Sequence, residues 1–353
     1  MKKKVTYLSM MFLLLLDYVS YPQDIVKSDQ VIKGSELFKN QQILPIKLSY
    51  SNRDVKKNAK DNTYISSDIL YQLADGSWEN LTIKIRGRGQ NRLKNCHLAP
   101  IKVKIKKSNA AGTLFEGHKK LKVVLPCLRQ KDKNDNIIKE YMAYKLYEII
   151  APYHYKTRLV SIDFTEVLGN KTKNHKLAGF LIEDIEKTAD RCNGQVIERS
   201  LHPLAMDNIC SIQNDFFQYM IGNTDFSVAN QHNEKLLFIG TKIFPVPYDF
   251  DMSGLVDASY ATVPSLEGKS LGITKVTQRL FRGFKRDEAF YQKVRREFLD
   301  NRIEMLESID RLELHFEDSK EFSMARSYIV SFFEVLVNDQ KFEEYILDEA
   351  RAK

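Results

Sequence analysis

The feature that most constrains the fold is a change of period part-way along the chain. From residue 43 to about residue 164, apolar side chains alternate with polar ones or run in short stretches, over 46–50, 81–86, 101–105, 121–125 and 159–164, which predicts strands. One helical pattern interrupts them at 137–150, where Ile138, Met142, Leu146 and Ile149 recur at helical spacing and Pro152 supplies a stop. A further strand-like stretch, 178–182, ends in Glu183-Asp184. Beyond it the pattern turns helical, over 209–221, 288–309, 324–337 and 342–350, with one short strand pair at 236–239 and 243–246. Strands with one helix, followed by mostly helices, predict an α+β protein of two lobes: a β-rich N-lobe over 41–184 and a mainly helical C-lobe over 185–353. A cleft between two such lobes is a common place for a ligand.

The N-terminus carries a different message. Lys2, Lys3 and Lys4 precede an apolar run over 7–16, and polar residues resume at Asp17, which reads as a secretory signal peptide over 1–20 followed by a polar leader over 21–40. The expected location is therefore exported, periplasmic or extracellular. The apolar run is too short to span a bilayer, so no transmembrane span is expected in the mature chain. The net charge of +8 becomes +6 once residues 1–20, with three Lys and one Asp, are removed. That balance suits anionic partners such as nucleotides, acidic proteins or envelope polymers, but it is not clustered in the way that argues for nucleic acid. None of the four cysteines stands in a C-x-x-C pair, which excludes a zinc ribbon or a thioredoxin-like motif. An even count in an exported chain permits disulfides; pairing by neighbourhood, Cys96 with Cys127 and Cys192 with Cys210, and four buried thiols stand as alternatives.

Five segments could carry chemistry. Arg86-Gly87-Arg88-Gly89 follows a strand; the glycines let backbone amides approach a phosphate and the arginines add charge, although by itself the segment also reads as a hairpin turn. Next, Pro100-Ile101-Lys102-Val103-Lys104-Ile105 alternates so that Lys102 and Lys104 share a face and could hold phosphates, or could mark a solvated edge strand. Glu140, on the predicted helix, is the carboxylate that could pair with such a lysine, with Glu148 as the other possibility. Asp225 and Asn230, in Gly222-Asn223-Thr224-Asp225-Phe226-Ser227-Val228-Ala229-Asn230, have the D-x4-N spacing of a base and a metal-binding amide. Finally, Tyr248-Asp249-Phe250-Asp251 follows a strand; clustered acids repel unless a cation sits among them, which makes Asp249 the expected metal ligand and Asp251 a second ligand or a cap.

Taken in order, these segments resemble the CotH family of spore-coat, atypical kinase-like proteins over roughly residues 80–310. R-G-R-G with the following P-x-K-x-K, then Gly179-Phe180-Leu181-Ile182-Glu183-Asp184, Asn223-Thr224-Asp225 and Tyr248-Asp249-Phe250-Asp251 carry the likeness. Gln90-Asn91-Arg92 and Tyr248 depart from the family's usual residues. The resemblance implies a two-lobed atypical protein-kinase-like fold, ATP with Mg²⁺ or Mn²⁺, and transfer of phosphate to Ser or Thr of a protein substrate. Carried over, Asp225 would be catalytic, Asp249, Asn230 and Asp251 would hold metal, and Arg86, Arg88, Lys102, Lys104, Glu140 and Glu183 would serve the nucleotide. Two other readings stand beside it: an envelope interaction protein of the same fold that binds nucleotide or metal without turnover, and a metal-dependent phosphoesterase using Asp225, His232, Asp249 and Asp251.

Overall fold

The structure, a computed structural model, describes residues 36–128, 134–264 and 271–352. The expected signal peptide and most of the polar leader lie outside the described residues. Among the described residues ten strands are present: β1 Leu44–Tyr50, β2 Ile65–Gln72, β3 Trp78–Gly87, β4 Ile101–Ile105, β5 Lys120–Val124, β6 Thr157–Leu168, β7 Lys171–Glu183, β8 Gln195–Ile197, β9 Glu234–Ile239 and β10 Lys242–Pro247. Eleven α-helices accompany them among the described residues: α1 Glu36–Lys39, α2 Asn52–Ala59, α3 Gln90–Asn95, α4 Lys107–Ala110, α5 Asp135–Ile150, α6 Ile185–Arg191, α7 Asn208–Met220, α8 Glu288–Asp300, α9 Arg302–Asp310, α10 Ser319–Val337 and α11 Asp339–Phe342.

The first seven strands close into a barrel in the order β1-β2-β3-β4-β5-β7-β6. All neighbours are antiparallel except β1 and β6, whose parallel pairing, Leu44 with Val160 through Tyr50 with Glu166, completes the ring. Period-two alternation explains the interior. Leu44, Ile46 and Leu48 of β1, Leu81, Ile83 and Ile85 of β3, and Ile101, Val103 and Ile105 of β4 are buried inside, while the residues between them face out. The wall made by β5, β7 and β6 is apolar on both faces. Val123, Leu181 and Val160 point into the barrel, whereas Val124, Phe180, Ile182 and Leu159 point to a second core with the helices. Helix α5 is buried almost all round because it lies between that wall and the helices behind it. Strands β8–β10 form a separate small sheet.

This overturns the expected two-lobed kinase-like fold with one helix among the N-terminal strands. The strands instead seal into a closed mixed barrel, five α-helices precede Glu183 among the described residues, and the described residues form one compact unit. The physical reason is that alternation reveals a strand but not its partners, and helices of four to eight residues are too short to show a period. Strand β2 was hidden because its sequence, Ile-Ser-Ser-Asp-Ile-Leu-Tyr-Gln, is largely polar. The long helix expected at 288–309 is broken at Asn301, and the helix expected at 342–350 is a single π turn, Glu343–Leu347, after α11. Cys96 and Cys127 form a disulfide, whereas Cys192 and Cys210 are free thiols. No helix among the described residues is long and apolar enough to cross a membrane.

Candidate functional site

The outer face of β3, β4 and β5 is defined by register. Arg86 lies opposite Lys102, which lies opposite Lys122; Lys84 lies opposite Lys104, which lies opposite Lys120. Two rows of three cations therefore cross three neighbouring strands, and none of the six forms an ion pair among the described residues. Like charges directly opposite each other destabilise a sheet. Five of the six, all but Lys84, line a cleft of about 1280 Å³ together with Arg88, Tyr155, Asp184, Tyr248 and Asp249.

Aromatic rings shield part of this charge. The Arg86 guanidinium and the Lys104 ammonium lie 5.1 and 4.2 Å from the Tyr64 ring. Lys122 is buried with its ammonium 4.9 Å from the ring of Tyr155 and 4.2 Å from that of Tyr248. Burial, reinforced by the neighbouring Arg88, pushes the Lys122 ammonium down to about 7, against the opposing pull of Asp249. Burial, with Arg86 and Arg88 nearby, lowers Lys102 in the same sense.

The R-G-R-G segment serves mainly to place Arg88. A Cβ on Gly87 would meet Leu93 Cδ2 at 2.9 Å and Val55 and Ala59 at 3.3 Å, so glycine lets α2 and α3 pack against the end of β3. Gly89, at φ 76°, turns the chain into α3. Between them the Arg88 amide donates to Pro100 O at 2.8 Å, and the Arg88 side chain donates to Asp249 Oδ2 at 2.9 Å. Asp249 itself has left-handed backbone (φ 67°), held by its amide donating to the Tyr144 hydroxyl at 2.9 Å. Phe250 anchors this loop between the rings of Tyr144 and Phe217, at 4.6 and 5.2 Å.

Asp251 points away from the cleft into a buried pocket. It accepts from the Tyr260 hydroxyl at 2.9 Å and lies 3.8 Å from Arg92 Nε. Glu140 shares that pocket, 3.9 Å from Arg92 Nη1, with its Oε1 unpartnered. Burial raises both above the usual carboxylate range; the charge of Asp251 adds to the rise of Glu140, and that of Asp249 adds to the rise of each. Glu140 thus meets Arg92 rather than Lys102 or Lys104. Glu183 is buried against Arg191 at 3.0 Å and Thr188 Oγ1 at 3.1 Å.

Asp225 belongs to a neighbouring loop. Its carboxylate receives His232 Nε2 at 3.0 Å and Asn233 Nδ2 at 3.1 Å, and its own amide donates to Asn223 Oδ1 at 3.0 Å. Arg282 donates to the carbonyls of Thr224 and Phe226, gripping the loop on either side of Asp225. Asn233 joins this loop to the acidic one: its side chain holds Asp225 and its carbonyl accepts from the Tyr248 amide at 3.0 Å. The Asp225 charge contributes to the raised Asp251. Asn230 is exposed, and its amide donates to Ser227 Oγ at 3.3 Å.

The structure therefore brings Arg86, Arg88, Lys102, Lys104 and Asp249 into one cleft. Asp225, Asn230, Asp251, Glu140 and Glu183 do not line it. Sequence reasoning missed Lys122, Tyr155, Arg92 and Asn233. Lys120-Leu121-Lys122 repeats the K-x-K alternation of residues 102–104, so the signal for Lys122 was present. For a divalent cation, Asp249 offers one carboxylate on the cleft wall, which suits the Mg²⁺ habit of one or two carboxylates plus ligand phosphates. No group of three or more His, Cys, Asp or Glu side chains able to hold a metal gathers among the described residues, and His232 joins Asp225 rather than Asp249 or Asp251. No protein-family model matches the chain, and no curated protein matches it.

Proposed function

We propose that the chain is an exported phosphotransferase that admits a nucleoside triphosphate to the cationic cleft and passes the terminal phosphate to Ser or Thr of a protein, as the resemblance to the CotH family implies. The observation that carries this reading is the register of Arg86, Lys102 and Lys122: three cations in line across three strands, with Arg88 beside them and no carboxylate paired to the row. A row of unpaired cations beside a half-buried carboxylate matches a ligand with several phosphates. The Cys96–Cys127 disulfide supports an oxidising destination.

In the reaction, the acceptor hydroxyl oxygen forms a bond to the γ-phosphorus. The bond from that phosphorus to the β–γ bridging oxygen breaks, and the diphosphate leaves with the electron pair. Arg88, Lys102 and Lys122 hold phosphate oxygens and spread the developing charge. Asp225, oriented by His232 and Asn233, takes the hydroxyl proton. Mg²⁺ or Mn²⁺ bound with the phosphates, with Asp249 as its protein ligand, would supply charge neutralisation.

The test is incubation of the purified protein with γ-labelled ATP, Mg²⁺ or Mn²⁺, and a Ser-rich protein. Label transfer is expected, reduced by about 10²–10⁴-fold in Asp225→Asn. Absence of both transfer and autophosphorylation from folded protein would rule out the reading. A second reading, nucleotide binding without turnover, is favoured by two facts: Asp225 does not line the cleft, and Asp249 is engaged by Arg88. A thermal shift with ATP and Mg²⁺, unaccompanied by transfer, would select it.

A further inference from the structure

We infer that the acceptor served by this cleft is an acidic, extended polypeptide segment, held by the lysines of α2 and α3 at the cleft's exposed rim. The inference rests on the reading of the buried part as a phosphate site, and it concerns charge that this reading leaves over.

Nine of the cations lining the cleft fall into two groups; Lys56, whose ammonium donates to Cys96 O, and Lys235 on β9 stand outside them. Arg86, Arg88, Lys102 and Lys122 are half-buried or buried and suffice for a triphosphate. Lys57 and Lys60 at the end of α2, Lys94 on α3, and Lys104 and Lys120 on the second row of the sheet are exposed, and none of them has an ion-pair partner among the described residues. These five positive charges line the same cavity beyond the four assigned to the nucleotide, and so are available to a second anionic ligand. Asp184, Glu186 and Glu198 also line the cavity, with Lys235 of β9 next to Glu198. The net charge of that group stays negative, so an acidic chain is drawn to the lysines of α2 and α3 rather than to these carboxylates.

The same walls argue against nucleic acid. Single strands bind by stacking bases on open aromatic faces. The aromatic rings lining this cleft are Tyr64, Tyr155 and Tyr248, and each already has a cation over it: Arg86 and Lys104 on Tyr64, Lys122 on Tyr155 and Tyr248. The rim cations are lysines, point charges on flexible stems, which suit carboxylates arriving on a mobile chain.

The experiment uses fluorescence anisotropy on the full chain with four labelled probes: a peptide with one Ser among Asp and Glu, a Ser-Gly peptide, a Ser-Lys peptide, and an oligothymidine. The acidic peptide should bind best, and more weakly by about tenfold on raising salt from about 50 to about 200 mM. Lys57→Glu/Lys60→Glu/Lys94→Glu should weaken it by at least about tenfold, and the neutral Lys57→Gln/Lys60→Gln/Lys94→Gln by less, a graded loss that misfolding would not produce. Equal binding of the acidic peptide to wild type and the Glu variant, or tighter binding of the Ser-Gly or Ser-Lys peptide, would overturn the inference. Tighter binding of oligothymidine would replace it with a nucleic-acid site. The thermal shift with ATP and Mg²⁺ is read separately on the same samples. A shift without acidic-peptide binding sinks this inference alone; no shift in wild type sinks the phosphate reading whatever the peptides do.

Discussion

Lys122 shows how one residue can be costly to the fold and useful to the site. Its ammonium is buried among cations and tyrosine rings, and its proton is held less firmly than in the unfolded chain. The folded state binds fewer protons at this group than the unfolded state between about pH 7 and the ordinary lysine value of 10.5. Stability therefore rises with pH across that window, and the penalty is fully present below it. Lys122→Met should raise unfolding stability at pH 6 by up to about 4 kcal/mol, with the gain shrinking as pH approaches 10. Urea titrations at both pH values check this, and the same variant should lose its thermal shift with ATP. Of the residues expected from sequence, those on regular strands were placed correctly on one face, because alternation alone decides that: Lys102 and Lys104 are examples. Among those in loops, Arg88 and Asp249 reach the cleft, whereas Asp225, Asn230 and Asp251 do not line it. Asp251 shares a motif with Asp249 yet turns into the interior, because the left-handed turn at Asp249 and the burial of Phe250 decide which carboxylate meets the cleft.

At the scale of elements, the cleft is set by how tightly α2 and α3 seat on the end of β3. Gly87 is the contact point, with no room for a methyl group between Leu93, Val55 and Ala59. Gly87→Ala should cost about 1–3 kcal/mol in chemical denaturation and weaken the ATP-induced shift, since Arg86 and Arg88 flank it. The glycine was visible in the sequence as half of a phosphate-loop pattern, but its steric role depends on two helices too short for any period to announce. The helix carrying Glu140 was legible from its spacing, whereas its partner was not. Arg92 comes from α3, and only the folded chain brings α3 beside α5. The Cys96–Cys127 bridge likewise joins the residue after α3 to the segment after β5, which neighbourhood in sequence suggested; the same reasoning failed for Cys192 and Cys210.

At the scale of the molecule, the barrel and the helices share one wall. Phe180 lies in it, fully buried, with its ring 5.7 Å from Tyr141 and 5.4 Å from Tyr144. Phe180→Ala should cost about 3–5 kcal/mol, and calorimetry should still show one transition, because neither core can loosen without the other. Two separated transitions would contradict the shared wall. Most strands and the long helices were readable as local pattern, but closure of the barrel was not, since the decisive pairing joins β1 to β6 across more than a hundred residues of chain. The lysine rows have a consequence for the protein at rest. On the proposed reading, a sheet that sets positive charge against positive charge across three strands is completed by an anion from solution. Whatever anion settles there acts as a keystone as much as a cargo, so the empty molecule should be the softer one, and the loaded molecule the one that endures.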